Sequence, residues 1–210
     1  MAYDHEEQEQ LAQLKAFWAK YGTVITALFT LIALTFAGYR GWQYFQQKQA
    51  MQAAVVYEAL AEGAKAKDMA QVKEASGVLL DKYKRTAYAQ MGALIAASSY
   101  VEAKDVRAAK AQLEWVIEHA RDDMFEHLAR VRLAGILLDE KAYDAGLKLL
   151  AAEPPKSFAG QYADRRGDLF AAQNKAKEAQ AEYAKALDLL DKNDPLRQLV
   201  ELKRDALGVS

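Results

Sequence analysis

The sequence predicts an all-α protein, a single N-terminal transmembrane helix followed by an α-solenoid of stacked helical pairs. Three observations predict it. The run YGTVITALFTLIALTFAGY, from Tyr21 to Tyr39, carries no charge. The remainder is rich in Ala, Leu, Lys, Glu and Gln, with only 3 prolines in 210 residues and no Val/Ile/Thr alternation, which favours helix over strand. Small and bulky residues also recur in a fixed order at intervals of 33 to 37 residues, the signature of a repeat architecture.

The first element is the N-terminal tail, residues 1–20, in which Asp4, Glu6, Glu7 and Glu9 make an acidic leader. A cleaved export signal has a short basic leader and a shorter apolar core, and Thr35-Phe36-Ala37 is a weak cleavage site, so the run reads as an uncleaved anchor. As a helix, residues 21–39 would be about 28 Å long, close to the hydrocarbon thickness of a bilayer. Val24, Ile25, Leu28, Phe29, Leu31, Ile32, Leu34 and Phe36 wrap the whole circumference, unlike a core helix with one polar face. Phe17, Trp18 and Tyr21 gather at one end and Tyr39, Trp42, Tyr44 and Phe45 at the other, where amphipathic rings favour the water interfaces. Lys15 and Lys20 on one side balance Arg40 and Lys48 on the other, so charge leaves the orientation open. Ala33, Ala37 and Gly41 recur every four residues, either as a contact for a partner's span or as the small residues common in any span.

Residues 40–67 continue with helical propensity as a stem that enters the first, fainter repeat, and residues 68–210 form the repeat domain with a C-terminal capping helix. The repeating order is met by Ala97, Tyr100, Ala109 and Leu113, by Ala134, Leu137, Gly146 and Leu150, and by Gly167, Phe170, Ala179 and Tyr183. A first copy has Gly63, Ala75 and Leu79, and the second small residues, Ala75, Ala109, Gly146 and Ala179, are 34, 37 and 33 apart. Small residues let antiparallel helices cross closely and bulky ones fill the space beside the crossing, and each pair completes its core on the next. Asp194-Pro195 opens the capping helix, which places Leu196, Leu199, Val200, Lys203 and Leu207 on one side.

Gly167, Phe170, Ala179, Tyr183 and Ala186 resemble the tetratricopeptide repeat, in degenerate form. With the acidic tail, the span and the passage WQYFQQKQAMQAAVVYEAL after it, the whole chain resembles the YfgM family, ancillary subunits of the SecYEG translocon in bacterial inner membranes. That resemblance implies a cytoplasmic N-terminus, a periplasmic repeat domain, association with SecYEG and the periplasmic chaperone PpiD, and handling of newly exported client proteins.

The 28 Lys and Arg nearly cancel the 29 Asp and Glu, so no global field attracts nucleic acid. The absence of cysteine removes disulfides, thiol catalysis and thiolate metal sites. His119 and His127, flanked by Glu118, Asp122, Asp123 and Glu126, read as solvated loop residues rather than metal ligands, as does His5 in the tail. No G-x-S-x-G, phosphate loop or H-E-x-x-H occurs, which argues against an enzyme and for no cofactor. Arg165 and Arg166 either bind an anion or, as expected here, pair with Asp164 or Asp168 on the helix surface. The first helix of each pair would line a groove through Met91, Leu94, Val101, Leu128, Val131, Leu138, Asp164 and Asp168. That groove is either open to a helix or unfolded segment of a partner or filled by the terminal helix. The function expected is a non-enzymatic, membrane-anchored binding scaffold, with a self-associating structural tether as the alternative.

Overall fold

Among the residues that the computed structural model describes, 2–208 with side chains from residue 9 onward, the chain forms nine helices. They are α1 (Ala2–Ala66), α2 (Met69–Lys82), α3 (Ala87–Glu102), α4 (Val106–His119), α5 (Asp123–Asp139), α6 (Tyr143–Leu149), α7 (Lys156–Ala172), α8 (Ala176–Leu189) and α9 (Leu196–Ala206). The readings placed on Asp4, His5, Glu6 and Glu7 lie outside the described side chains. The chain separates into two compact units, Met1–Gln49 and Ala50–Ser210.

The first unit is helix throughout its described length and contains a stretch long and apolar enough to cross a membrane. Nothing in the unit covers that stretch: Val24, Leu28, Phe29, Leu31, Ile32, Leu34 and Phe36 are each 56 to 68 % exposed. Three of its hydroxyls bond within the helix. The hydroxyls of Thr26, Thr30 and Thr35 donate to the carbonyls of Gly22, Thr26 and Leu31, each at 2.8 Å, as hydroxyls in hydrocarbon must.

The second unit is a stack of helical pairs. The end of α1 with α2, α3 with α4, α5 with α6, and α7 with α8 are the four pairs, and α9 closes the last. All of Ala75, Ala109, Gly146 and Ala179 are buried, as are Leu79, Leu113, Leu150 and Tyr183, so the repeating order is a packing order. The core runs through three clusters in sequence. Leu60, Val72, Leu79, Leu94, Leu113, Val116 and Leu133 centre the first. Leu150, Phe158, Tyr162 and Leu169 centre the second, and Ala179, Tyr183, Leu187 and Val200 the third.

The turn inside each pair is built the same way four times. Lys67, Lys104, Lys141 and Asn174 have φ of 57°, 62°, 60° and 59°, the left-handed conformation. In the second pair the N–H of Lys104 donates to Val101 O at 3.0 Å and that of Asp105 to Tyr100 O at 2.9 Å, and the other three turns repeat this arrangement. It is the Schellman ending, which satisfies the last carbonyls of a helix. Asp68 and Asp105 then cap the next helix, accepting from Gln71 N–H at 3.1 Å and Ala108 N–H at 3.0 Å. Since a β-carbon in the left-handed region is disfavoured by about 1 kcal/mol, Lys104→Gly is expected to raise stability by about 0.5–1 kcal/mol. Urea unfolding of the full chain checks this, and an unchanged or lowered midpoint refutes it.

Helix α9 corrects one detail. Asp194 accepts from Leu196 N–H at 2.8 Å as expected, and Val200 is fully buried with Leu196 and Leu207 packed beside it, but Leu199 is 49 % exposed. At about 100° per residue the covered stripe runs 196, 200, 203, 207, leaving residue 199 at its edge.

Candidate functional site

The first helices of the pairs do line a groove. Met91 and Leu94 of α3 border a cavity of about 420 Å³ with Ile95, Ser98 and Arg132. Val101 borders the next cavity, about 340 Å³, with Ser98, Arg132, Gly135, Asp139 and Arg165. Ser98 and Arg132 belong to both, so the two cavities form one groove along α3, α5 and α7. Leu94 is buried in its wall, whereas Val101 is 47 % exposed and open to it.

The other nominated residues sit elsewhere. Leu128, Val131 and Leu138 are half-buried and pack against Ala134, Leu150, Phe158, Tyr162 and Leu169, between the α5–α6 and α7–α8 pairs. Met91 and Leu128, Leu94 and Val131, and Val101 and Leu138 hold equal places in their repeats, so the difference comes from packing: on α5 these places are covered by the α7–α8 pair. Leu94, Val131 and Asp164 each stand ten residues before the left-handed turn residue of their pair, a position that on α5 faces the neighbouring pair. The groove face on α5 and α7 is set one residue later, by Arg132 and Arg165, the counterparts of Ile95. The sequence signal for these arginines is their identical place in consecutive repeats, nine residues before Lys141 and Asn174.

Asp164 and Asp168 meet α9. Lys203 Nζ lies 2.8 Å from Asp164 Oδ1 and 2.8 Å from Asp168 Oδ1. Arg165 Nη1 donates to Asp168 Oδ2 at 3.1 Å, and the Tyr183 hydroxyl donates to Asp168 Oδ1 at 2.9 Å. Burial first, and the neighbouring Asp168 charge second, push the Asp164 carboxyl above its ordinary range, against the pull of Lys203. Burial and the same carboxylate raise the Tyr183 hydroxyl, so it remains a donor. The terminal helix therefore engages the two acidic positions, while the part of the groove bordered by Met91, Leu94 and Val101 is left uncovered by it. Arg166 pairs with Glu182 of α8 at 2.8 Å rather than with either aspartate.

The histidines divide. His119 ends α4 with its ring stacked on Trp115, 4.7 Å between centroids, and is exposed. His127 is buried rather than solvated: its Nδ1 shares a hydrogen bond of 2.7 Å with the hydroxyl of Tyr162, which burial pushes up to about 12. Among the described residues no group of three His, Asp or Glu side chains is placed to hold a metal ion. In the first unit Ala33, Ala37 and Gly41 are exposed, and a β-carbon on Gly41 would meet nothing within 4 Å.

The tetratricopeptide repeat-like domain family matches residues 15–209, in agreement with the four pairs. A protein of Neisseria gonorrhoeae named ancillary SecYEG translocon subunit is 32 % identical over 99 % of this chain and 100 % of its own length. Proteins of the same name from Haemophilus influenzae and Escherichia coli are 28 % and 23 % identical, over 86 % and 97 % of this chain and 91 % and 97 % of theirs. No solved structure matches the chain. The repeat turns, the uncovered apolar helix and these end-to-end similarities agree on one assignment: the chain belongs to the family of ancillary SecYEG translocon subunits built on a tetratricopeptide repeat-like domain.

Proposed function

We propose that this chain is a non-enzymatic binding scaffold anchored in a bacterial inner membrane beside the Sec translocon. In this reading residues 1–20 are a cytoplasmic tail, 21–39 the span, 40–67 the stem, and 68–210 a periplasmic repeat domain. The observation that carries it is the end-to-end match to relatives named for SecYEG, which pairs the apolar helix and the repeats in one chain. The span contributes its small-residue face of Ala33, Ala37 and Gly41 to a membrane partner. The groove at Met91, Leu94 and Val101 receives a segment of a periplasmic chaperone of the PpiD kind or of an exported client. Leu128, Val131 and Leu138 support that groove from behind, and Asp164 and Asp168 hold the capping helix at its end.

Photo-crosslinking in native membranes tests the reading. A probe at Ala37 is expected to trap a SecYEG subunit, and a probe at Val101 a periplasmic protein. Labelling of cytoplasmic proteins from Val101, or no translocon product from any position along the span, overturns it.

A further inference from the structure

The groove holds a solvent-exposed arginine, Arg132, that makes no ion pair among the described residues, and the next repeat shows what an arginine at this place pairs with. Arg132 and Arg165 occupy the same place in consecutive repeats and border the same cavity. Three residues on from Arg165 stands Asp168, which accepts from it at 3.1 Å. Three residues on from Arg132 stands Gly135, which has no side chain. Among the described residues Arg132 accordingly makes no ion pair, and its guanidinium donates only to the backbone carbonyl of Leu94, at 3.2 Å. Though exposed, Arg132 is partly desolvated at the groove, which lowers its pKa. Arg165 has an unmet donor, since among the described residues its buried Nε has no hydrogen-bond partner.

A guanidinium keeps its charge under all ordinary conditions and offers a planar set of donors matched to a carboxylate. A β-carbon built on Gly135 would lie 3.6 Å from Arg165 Cζ, in ordinary contact, so a small group is tolerated there against the Arg165 guanidinium. Asp139 also borders the cavity but makes no ion pair with either arginine. Beside the arginines the groove is mixed, apolar at Val101, Ile136 and Leu113 and at Met91 and Leu94 in the adjoining cavity, and polar at Ser98 and at the Glu102 and Asp139 carboxylates.

We propose that the groove binds a peptide segment of a partner protein through an acidic residue, whose carboxylate occupies beside Arg132 the place that Asp168 occupies beside Arg165, with apolar neighbours against Met91 and Val101. This rests on the groove being the docking surface proposed above and names the chemistry of what docks there.

The test uses the full chain in phosphatidylcholine nanodiscs and two short fluorescein-labelled peptides, one of Ala, Leu and Glu and one with Gln in place of Glu. The acidic peptide is expected to bind about tenfold more tightly, the equivalent of one charge-assisted contact. Arg132→Gln abolishes the preference. Gly135→Asp supplies the missing carboxylate from within the chain and also abolishes it, whereas Gly135→Asn, of similar size and uncharged, preserves it. Arg107→Gln, on exposed α4 surface away from the groove, leaves binding unchanged. Equal binding of the two peptides, or a preference that survives Gly135→Asp, overturns the acidic-ligand inference and leaves the groove standing. Failure of both peptides to bind overturns the inference and the groove reading together.

Discussion

Replacing Lys203 by methionine is expected to destabilise the C-terminal repeat by about 2–3 kcal/mol, although Lys203 lies on the last helix. The side chains of Asp164 and Asp168 are 7 and 11 % exposed, and Lys203, 24 % exposed, is the cation that reaches both at 2.8 Å. Methionine keeps most of the packing volume and removes the charge, leaving Arg165 alone to offset two crowded carboxylates. Fully buried pairs lose more when broken, but the partial exposure here lets water screen part of the loss. The sign of the pH dependence identifies the cause. A carboxyl whose folded pKa lies above its unfolded value holds its proton longer when folded, so its contribution to stability rises as pH falls. Asp164 already has that direction, and removing Lys203, which opposes it, carries the shift further. The deficit of Lys203→Met relative to the parent chain is therefore expected to shrink between about pH 7 and pH 4. Urea unfolding at several pH values measures it, and a pH-independent deficit would mean that lost packing was responsible. Adding Asp164→Asn and Asp168→Asn to Lys203→Met should restore most of the stability.

Gly167→Val is the second large effect, expected to cost about 3 kcal/mol. A β-carbon at Gly167 would lie 2.5 Å from Tyr183 Cε1 and 2.6 Å from Cδ1, far inside contact distance. The ring has no room to yield: it is 3 % exposed and tied through its hydroxyl to Asp168. The α7–α8 crossing must therefore open. Tyr183→Ala in the same chain should recover part of the loss, because the two changes act on one contact, and strictly additive effects would refute the steric account. Gly77→Ala provides the contrast. A β-carbon there meets nothing within 4 Å, so it should gain up to about 1 kcal/mol of helix propensity.

Features set by local chemistry or by repetition were legible in the sequence. The apolar run announces itself by length, and the repeat phase follows from the alternation of Ala109 or Gly146 with Leu113 or Leu150, which only a helix crossing requires. The resemblance drawn from these residues and from the passage after the run agrees with the family that the full-length comparisons show. What stayed hidden depended on partners distant in sequence. His127 lies among charged residues and reads as solvated, yet its hydrogen-bond partner Tyr162 is 35 residues away. The groove face on α5 lay one residue from the apolar face, since Leu128, Val131 and Leu138 are spent on contact between pairs. No pattern of apolar residues could have pointed to Arg132, whose importance comes from the side chain absent at Gly135.

The punctuation of this chain reverses a common expectation about where substitutions are tolerated. Loops are usually where glycine is indispensable and helix interiors where it is expendable. Here lysine and asparagine make the left-handed turns, while Gly63, Gly92, Gly146, Gly160 and Gly167 are buried within helices. A mutational scan that took glycines as loop markers would cut the molecule through the middle of its helices. Insertions should instead be accepted beside Lys67, Lys104, Lys141 and Asn174, which makes those four positions the natural places for labels or epitope tags.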